Sequence, residues 1–438
     1  MPKVALISLG CAKNLVDSEV MLGVLKRSGF AFVGRPEEAD VIVVNTCGFI
    51  QPARDEAEAA LSRALRLKRR DPRKKVIAAG CYVARERAAL EARFPGIDAW
   101  TGVNAYDRIA DVIAGQDYRA PDRTFLYTDS TPRMVTSPGT WAYIKISEGC
   151  SHRCGFCAIP LIKGPYVSRS TASVVREARA LAGLGVREVN LISHDTTYYG
   201  RDRGAKGGLV KLLEKLLRVD GLAWVRLLYG YPEEVTDPLL DLLNDSKMCA
   251  YLDIPFQHAD PKIIRSMRRG LDGERALRLL DRIRTRVPGV AVRTSLIVGF
   301  PGEGPREYER LARFVERARI DHLGVFVYSP EKGTASCSLP DTVPTAEKEK
   351  RRREIMEVQA AISLALNRSA IGQVREVLIE GPEKRGRGFI GRTRFQAPEV
   401  DGQVRVEPTA DTSCGPQPIV RAKITGAGPY DLRARMLP

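Results

Sequence analysis

The sequence predicts a mixed α/β protein built from three parts, each with its own pattern. Short apolar runs alternate with helical stretches over residues 1–116, which is typical of a doubly wound parallel sheet. Six further strand candidates with helices between them lie within residues 136–368 and predict a partial (β/α)6 barrel, which stops short of the usual eight units. Residues 369–438 turn to glycine, proline and short β-type runs and predict a small β-barrel. A length of 438 residues fits three domains better than one.

The first part contains three clear strands and three helices. The strands are predicted at 4–9, 40–45 and 76–79, and the helices at 15–28, 51–70 and 84–93. The second strand is apolar at all of its central positions, as expected for a strand that is buried on both faces. Residues 116–140 have the polar, proline-containing composition of a linker to the second part.

The second part is predicted from six apolar runs, with helices at 173–184 and Gly273–Arg286 among the segments between them. The strands are 142–147, 188–193, 224–229, 251–255, Ala291–Val298 and 323–328. A charged helix at 347–367 then connects the barrel to the tail, and its basic run at 350–353 is predicted to be a solvated face. Tail strands are predicted at 376–379, 403–406 and 419–424.

The chain is strongly basic, with a formal net charge of +16 and a pI near 9.5. This balance favours a polyanionic partner such as nucleic acid or a ribonucleoprotein, and a solvated basic surface is the alternative. No run approaches the ~18 apolar residues of a membrane span. The N-terminus lacks the apolar stretch and cleavage site of a secretory signal. We therefore expect a cytoplasmic protein with no membrane contact.

Three of the nine cysteines lie in one short loop, at Cys150, Cys154 and Cys157, directly after the first barrel strand. Thiolates suit iron–sulfur clusters and zinc, and cytosolic cysteines seldom form disulfides. A structural zinc site closes with four ligands, whereas this loop supplies three unless His152 joins them, which would strain the loop. Three thiolates on a four-iron cluster leave one iron free to bind a small molecule. The spacing therefore favours such a cluster.

A second, dispersed set consists of Cys11, Cys47 and Cys81, each of which follows a predicted strand of the first part. Ligands of open α/β folds gather outside the carboxyl ends of the strands, so these thiols are expected to converge on a second three-thiolate site. The alternative is three buried cysteines that act as small apolar residues. The remaining thiols, Cys249, Cys337 and Cys414, fit neither pattern and are predicted to be structural.

Weaker signals lie at the carboxyl ends of the barrel strands, the side on which barrels place their active sites. Glu148 adjoins the cysteine loop, His194 and Asp195 end the second strand, and Gln257 and His258 end the fourth. Any of these polar side chains can face an active site, although each signal is weak alone.

Five other residues each have two interpretations. Phe156 packs near a ligand bound at the cluster or simply covers the cluster. Gly299 and Gly302 either let the backbone approach a bound ligand closely or form an ordinary turn after the fifth strand. Arg226 and Arg293 lie inside apolar strands, where an unpaired charge is costly, so they pair with a substrate carboxylate or with an internal acid.

The compact cysteine set on a partial barrel, the upstream cysteine set and the C-terminal β-barrel together resemble the radical S-adenosylmethionine methylthiotransferases over nearly the whole chain. The stretches that resemble the RimO branch most are 9–19, 45–50, 251–258 and 397–402. Within these stretches, the resemblance to the RimO branch rests most on Lys13 with Asn14 and on the Ala-Pro-Glu-Val-Asp-Gly sequence. That branch modifies an aspartate of small-subunit ribosomal protein twelve at the decoding centre. One segment, 391–396, instead resembles the tail barrel of the branch that modifies an adenosine of transfer RNA.

The resemblance implies a radical S-adenosylmethionine barrel, a tail barrel of the TRAM type and two 4Fe–4S clusters. In this family the Cys150, Cys154 and Cys157 cluster binds and cleaves S-adenosylmethionine, and the resulting radical removes hydrogen from the aspartate β-carbon. The cluster on the upstream cysteines delivers sulfur that a second S-adenosylmethionine has methylated. The implied partners are a ribosomal protein or ribosomal subunit and an electron donor. RNA contact through the tail barrel, at residues such as Lys384, Arg385 and Arg387, is a further expectation.

Two other functions remain open from the sequence. The first is methylthiolation of a transfer-RNA adenosine. The second is a zinc-bearing RNA-binding or ribosome-assembly factor without redox chemistry.

Overall fold

The computed structural model describes residues 1–116, 124–384, 386, 388–409 and 418–438. Three side chains singled out above, Arg385, Arg387 and Cys414, lie outside the described residues. The predicted fold class is confirmed: a parallel N-terminal sheet, an incomplete central barrel and a closed β-barrel follow one another along the chain. Among the described residues, no helix has both the length and the apolar character that crossing a bilayer requires.

The N-terminal sheet has five parallel strands in the order β2-β1-β3-β4-β5. These strands are β1 (Lys3–Ser8), β2 (Ala31–Phe32), β3 (Val41–Thr46), β4 (Lys75–Gly80) and β5 (Ala99–Thr101). The helices are α1 (Ala12–Arg27), α2 (Gln51–Arg70), α3 (Cys81–Arg93) and α4 (Ile109–Ile113). Every residue of β3 is buried, because both faces of the sheet are covered. The strand order reverses between β1 and β3, and such a reversal opens a crevice outside the carboxyl ends.

Six parallel strands form the incomplete barrel, hydrogen-bonded as two triplets. They are β6 (Trp141–Lys145), β9 (Glu188–Ile192), β10 (Trp224–Leu227), β11 (Tyr251–Asp253), β12 (Ala291–Val298) and β13 (His322–Val327), with the short pair β7 (Ser147–Glu148) and β8 (Val167–Ser168) after β6. The helices are α5 (Ile159–Lys163), α6 (Thr171–Gly183), α7 (Gly208–Leu217), α8 (Asp237–Leu242), α9 (Pro261–Ser266), α10 (Gly273–Arg286) and α11 (Pro305–Ala318). All six predicted barrel strands are therefore present, with ends shifted by a few residues.

The connector helix α12 (Thr345–Arg368) leads into the closed tail barrel, whose strand order is β14-β15-β16-β18-β17. Its strands are β14 (Val374–Pro382), β15 (Phe389–Arg392), β16 (Val404–Glu407), β17 (Ile419–Ala427) and β18 (Leu432–Met436). The predicted solvated face at 350–353 is wrong at Arg351, which is buried. Its guanidinium lies 2.8 Å from Glu303 and 2.9 Å from Glu347, because this side of α12 packs against the barrel.

The tail barrel closes the amino ends of the central strands. Arg392 Nη2 lies 2.6 Å from Glu188 Oε2 at the start of β9, and the Tyr251 hydroxyl at the start of β11 donates to Asp401 Oδ2 over 2.7 Å. One apolar cluster includes Val16 of α1, strand residues of the central barrel and tail-barrel residues. The carboxyl ends of the central strands therefore remain for the N-terminal domain and the cysteine loop.

Candidate functional site

The structure brings Cys11, Cys47 and Cys81 to one edge of the N-terminal sheet. Cys11 precedes the first turn of α1 after β1, Cys47 follows β3, and Cys81 begins α3 directly after β4. Because β1, β3 and β4 are parallel neighbours, their carboxyl ends meet. This is the convergence that the strand-end pattern predicts.

Tight backbone contacts hold the three loops together. Gly10 has φ of +89°, and a Cβ there would lie 2.7 Å from the Cβ of Cys47. Gly80 has φ of +101°, and its Cβ would lie 2.5 Å from the carbonyl oxygen of Thr46. Only glycine fits both the backbone conformation and the space at these positions. Gly10, beside Cys11, and Gly80, beside Cys81, are therefore required for the approach of these loops.

Burial changes the ionisation of these thiols. It raises the pKa of Cys81 to about 12, and it raises the pKa of Cys47, with neighbouring Cys11 adding to the effect. Lys163 lowers both values but does not outweigh burial. The free thiols of Cys47 and Cys81 are thus protonated at neutral pH, and metal binding there would release protons.

The second set of thiols lies in the loop after β6 and β7. Cys150 N–H donates to the carbonyl of Gly164 over 3.1 Å, and Gly155 N–H donates to the carbonyl of Met267 over 2.9 Å. Burial raises the pKa of Cys150 to about 11 and that of Cys157 to about 12. The loop is therefore fixed to its surroundings at Cys150 and at Gly155, with Cys150 buried and Cys154 and Cys157 half-buried.

A column of stacked side chains supports this loop. Arg269 Nη1 lies 3.7 Å from Cys154 Sγ, and its guanidinium lies 3.9 Å from the centre of the Tyr231 ring. Tyr231 stacks on His152 with ring centres 3.9 Å apart, and His152 Nε2 lies 2.6 Å from Asp195 Oδ2. His152 is thus committed to Asp195 and Tyr231. This placement supports the three-thiolate interpretation over a four-ligand zinc site.

Four buried charged side chains join the elements that carry the two cysteine sets, and we call them the ion layer: Asp17, Lys145, Glu148 and Lys163. Lys145 Nζ lies 2.5 Å from Glu148 Oε2 and also pairs with Asp17. Lys163 Nζ lies 3.0 Å from Asp17 and 3.6 Å from Glu148. All four side chains are at most 3% exposed. Burial alone would raise the pKa of Glu148, but Lys145 and Lys163 hold it well below its ordinary value.

The ion layer supplies the partners of Glu148, which the sequence predicted to adjoin the cysteine loop without identifying a partner for it. Asp17 lies on α1, the helix that begins after Cys11, and Lys163 ends α5, the helix that follows Cys157. His194, also predicted, lies 3.9 Å from Glu148, and burial lowers its pKa to about 3. His194 is therefore neutral at ordinary pH.

The remaining predicted residues contact protein groups. Phe156 packs against the apolar cluster of Ile263, Met267, Phe300 and Tyr328. Gly299 N–H donates to Glu303 Oε2 over 2.8 Å, and a Cβ on Gly299 would lie 2.7 Å from Lys348 Cδ. At Gly302 a Cβ would meet open space. Gln257 N–H donates to the Ser295 carbonyl, and His258 Nε2 lies 3.3 Å from Glu303.

Arg226 and Arg293 both form internal ion pairs. Arg226 Nε lies 2.8 Å from Glu188, and Arg293 lies 3.3 Å from Asp253 and 3.3 Å from Asp401 of the tail barrel. Of the cysteines outside both sets, Cys249 is buried in the core, as a structural role requires. Cys337 is exposed, so it lacks the buried packing that the predicted structural role would require.

The sequence patterns missed Arg269, Tyr231, Asp17 and Lys163. Each acts through a partner that is distant along the chain, so no local spacing marks it.

Both sets consist of soft thiols, the ligand type that iron–sulfur clusters take. No group of three His, Cys, Asp or Glu among residues of the described ranges is placed to hold one metal ion. In a four-iron cluster each thiolate binds a different iron, so the ligands lie further apart than around one ion. Each set offers three soft thiols, which would leave one iron of such a cluster without a protein ligand.

Three family models match the chain. One, described as an uncharacterized protein family, UPF0004, matches residues 3–102. The radical SAM superfamily matches residues 144–315, and the TRAM domain matches residues 371–437.

Several relatives that are similar over almost the whole chain bear the name ribosomal protein uS12 methylthiotransferase RimO. The protein of Trichlorobacter lovleyi is 41% identical and covers 99% of this chain and 98% of its own length. The protein of Aquifex aeolicus is 42% identical, with 99% and 97% covered. The protein of Symbiobacterium thermophilum is 43% identical, with 98% and 90% covered.

Solved structures share the fold at low identity. The radical S-adenosylmethionine methyltransferase TsrM from Kitasatospora setae has a TM-score of 0.55 and 16% identity, over 86% of this chain and 80% of that chain. The cobalamin-dependent S-adenosylmethionine radical enzyme OxsB has a TM-score of 0.51 and 10% identity, over 82% of this chain and 56% of that chain. These similarities concern the fold alone.

Proposed function

The chain belongs to the family of ribosomal protein uS12 methylthiotransferases named RimO, and we propose that it adds a methylthio group to the β-carbon of an aspartate in that ribosomal protein. It is a radical S-adenosylmethionine methylthiotransferase, an enzyme class that uses S-adenosylmethionine and 4Fe–4S clusters. The observation that carries the site assignment is the pair of three-thiol sets joined by the ion layer.

We propose that Cys150, Cys154 and Cys157 hold the cluster that binds S-adenosylmethionine, and that Cys11, Cys47 and Cys81 hold the second cluster. Together, the clusters and S-adenosylmethionine supply a 5′-deoxyadenosyl radical and the sulfur. The chain's own residues position these groups and exclude water. The column from Arg269 to Asp195 supports one loop, and the tight turns at Gly10 and Gly80 support the other. Phe156, Gly299 and Gly302 remain candidates for contact with S-adenosylmethionine.

The three proposed domains are residues 1–116, 136–368 and 369–438. The N-terminal domain would deliver sulfur, the partial barrel would generate the radical, and the tail barrel would engage the substrate. An electron donor outside the chain is required for the radical step. We propose a cytoplasmic location, because the ribosomal substrate is found there.

The outer face of the tail barrel supports RNA contact. Arg405 of β16 lies directly opposite Arg433 of β18, and Arg435 of β18 lies opposite Lys423 of β17. All four side chains are exposed. Arg405 lies 3.4 Å from Glu383 and Arg435 lies 3.3 Å from Glu407, so these acids offset part of the repulsion between the basic side chains. Phosphate groups would add further counter-charge to this face. Such a face suits ribosomal RNA beside the substrate protein.

One observation argues against a transfer-RNA substrate. The segment 391–396 resembles the transfer-RNA branch, yet Arg392 is buried and pairs with Glu188 and Glu380 at 2.6 Å each. Thr393 N–H donates to the Gln396 side chain over 3.1 Å. These groups stabilise the barrel contact and are not presented to a nucleic acid.

The test is to offer the reconstituted full-length enzyme uS12, small ribosomal subunits and transfer RNA, each with S-adenosylmethionine and a reductant under anaerobic conditions. We expect a mass gain of one methylthio group on uS12 only. Cys154→Ala should abolish 5′-deoxyadenosine formation, whereas Cys47→Ala should spare it and stop sulfur insertion. The control is Cys337→Ala, outside both sets. Modification of transfer RNA alone, or full methylthiolation by Cys47→Ala, would reject the proposal.

A further inference from the structure

Lys13 is a buried cation in the first turn of α1, two residues after Cys11. Its ammonium nitrogen lies 3.3 Å from the centre of the Tyr229 ring and 3.4 Å from the carbonyl oxygen of Ser193. An ammonium has three N–H donors, and this single long hydrogen bond uses one of them. No carboxylate of the described chain comes within ion-pair distance of Lys13.

The nearest carboxylates are already paired with other cations. Asp253 Oδ1 lies 3.3 Å from Arg293, and its Oδ2 accepts from the backbone N–H of Tyr229 over 3.1 Å. Glu148 belongs to the ion layer. A buried ammonium without a counter-ion is costly, so its retention points to an anion that arrives with a ligand.

The ammonium is held in place by its surroundings. Asn14 Nδ2 donates to the Leu9 carbonyl over 2.6 Å, and Asn45 Nδ2 donates to the Asn14 carbonyl over 3.0 Å. These bonds fix the first turn of α1 against the ends of β1 and β3. Tyr229, which supports the ammonium from one side, has a φ of +61°, a conformation that few non-glycine residues adopt. An anion bound here would meet a rigid partner and need little reorganisation.

Lys13 contacts or adjoins segments that lead to both sets of thiols. Cys11 is two residues away on one side. On the other side, Ser193 is followed two residues later by Asp195, which contacts His152 within the second cysteine loop at 2.6 Å. A substrate group bound by Lys13 would therefore lie beside a segment of each cysteine set.

We propose that Lys13 binds the side-chain carboxylate of the aspartate that is modified, and so selects an acidic residue over a nucleobase. This inference rests on the proposed function. The carboxylate carbon is bonded to the β-carbon, so an ammonium that holds the carboxylate also positions the reacting atom. An adenine carries no negative charge there and leaves the ammonium unpaired, which disfavours its binding.

The test is a cycle of two substitutions, one in the enzyme and one in the substrate. Reconstituted wild type, Lys13→Gln and Lys13→Arg are compared on uS12 and on uS12 in which the modified aspartate is changed to asparagine. The dissociation constant of each complex is measured by fluorescence anisotropy, together with KM, kcat and iron content. Lys26→Gln, an exposed position on the same helix, is the matched control.

Wild type and Lys26→Gln should bind the aspartate substrate about 30-fold or more tightly than the asparagine substrate, the effect of losing one buried charged contact. Lys13→Gln should bind both substrates within about threefold of each other. Lys13→Arg keeps the cation and should retain the preference in full or in part. Iron content should match wild type in every variant.

Two results would overturn the inference. An unchanged aspartate preference in Lys13→Gln would show that the carboxylate is bound elsewhere. Loss of iron in Lys13→Gln, with substrate preference intact, would assign Lys13 to the neighbouring Cys11 set. Failure of the proposed function is distinct from both, because wild type itself would then leave uS12 unmodified.

Discussion

Replacement of Lys145 by methionine tests whether the ion layer holds α1 against the central barrel. Lys145 faces both Asp17 and Glu148, and its side chain is fully buried. Methionine keeps the apolar stem and removes the charge. Two buried carboxylates would then share Lys163 alone, which lies 3.0 Å from Asp17 and 3.6 Å from Glu148. Removal of one partner from a buried ion pair costs about 3–5 kcal/mol.

For a domain of the size of the central barrel, each kcal/mol shifts the midpoint temperature of unfolding by about 2–4 °C, so this cost corresponds to a fall of about 6–20 °C. The assay is anaerobic calorimetry of the reconstituted full-length protein. The matched control is Lys262→Met, which removes an exposed ion pair with Glu307 at 3.3 Å and should cost about 0–1 kcal/mol. Equal midpoint shifts in the two variants, or a rise for Lys145→Met, would refute the reasoning.

Three further predictions follow from single contacts. Unfolded His194 takes up a proton below its ordinary pKa of 6.5, whereas the native form resists protonation down to about 3. The free energy of unfolding of the wild type should therefore fall as the pH drops below 6.5, with a slope that approaches about 1.4 kcal/mol per pH unit by pH 5, and His194→Gln should lose this slope in pH-dependent melting. Arg269→Leu removes a cationic N–H beside Cys154. This change should destabilise the reduced cluster by about 1 kcal/mol and lower the reduction potential of the cluster by about 40 mV in an EPR-monitored titration. An unchanged potential would contradict this role of Arg269. Gly10→Ala should remove iron from the N-terminal set only, whereas Gly29→Ala, which also has positive φ but open space around it, should retain the iron.

Local sequence patterns predicted the strands and the cysteine sets of this protein better than they predicted the pairing of its buried charges. Alternating strands and helices are periodic over short stretches, so all six barrel strands were predicted to within a few residues. The approach of Cys11, Cys47 and Cys81 followed from the rule that parallel strands share one carboxyl edge. The prediction of a solvated face was wrong at Arg351, because a basic run in the sequence does not reveal which side of its helix packs inward.

The two barrel arginines show a different limit. An arginine inside an apolar strand signals a buried partner, but it does not identify that partner. The structure pairs Arg226 with Glu188 and Arg293 with Asp253 and Asp401. The roles of Phe156 and Gly299 toward S-adenosylmethionine stay predictions, since their contacts here are with the protein itself.

By itself, the sequence determined the fold class and the grouping of six cysteines into two sets, because periodicity and spacing are local properties of a chain. Only the tertiary structure decided which buried charges meet. Lys145 pairs with Asp17, which is 128 residues away in the sequence, and Arg392 pairs with Glu188, which is 204 residues away. With 69 basic and 53 acidic side chains in the chain, the possible pairs are far too many for any pattern to select among. Packing makes that choice, because a buried charge is tolerated only where its partner is also buried.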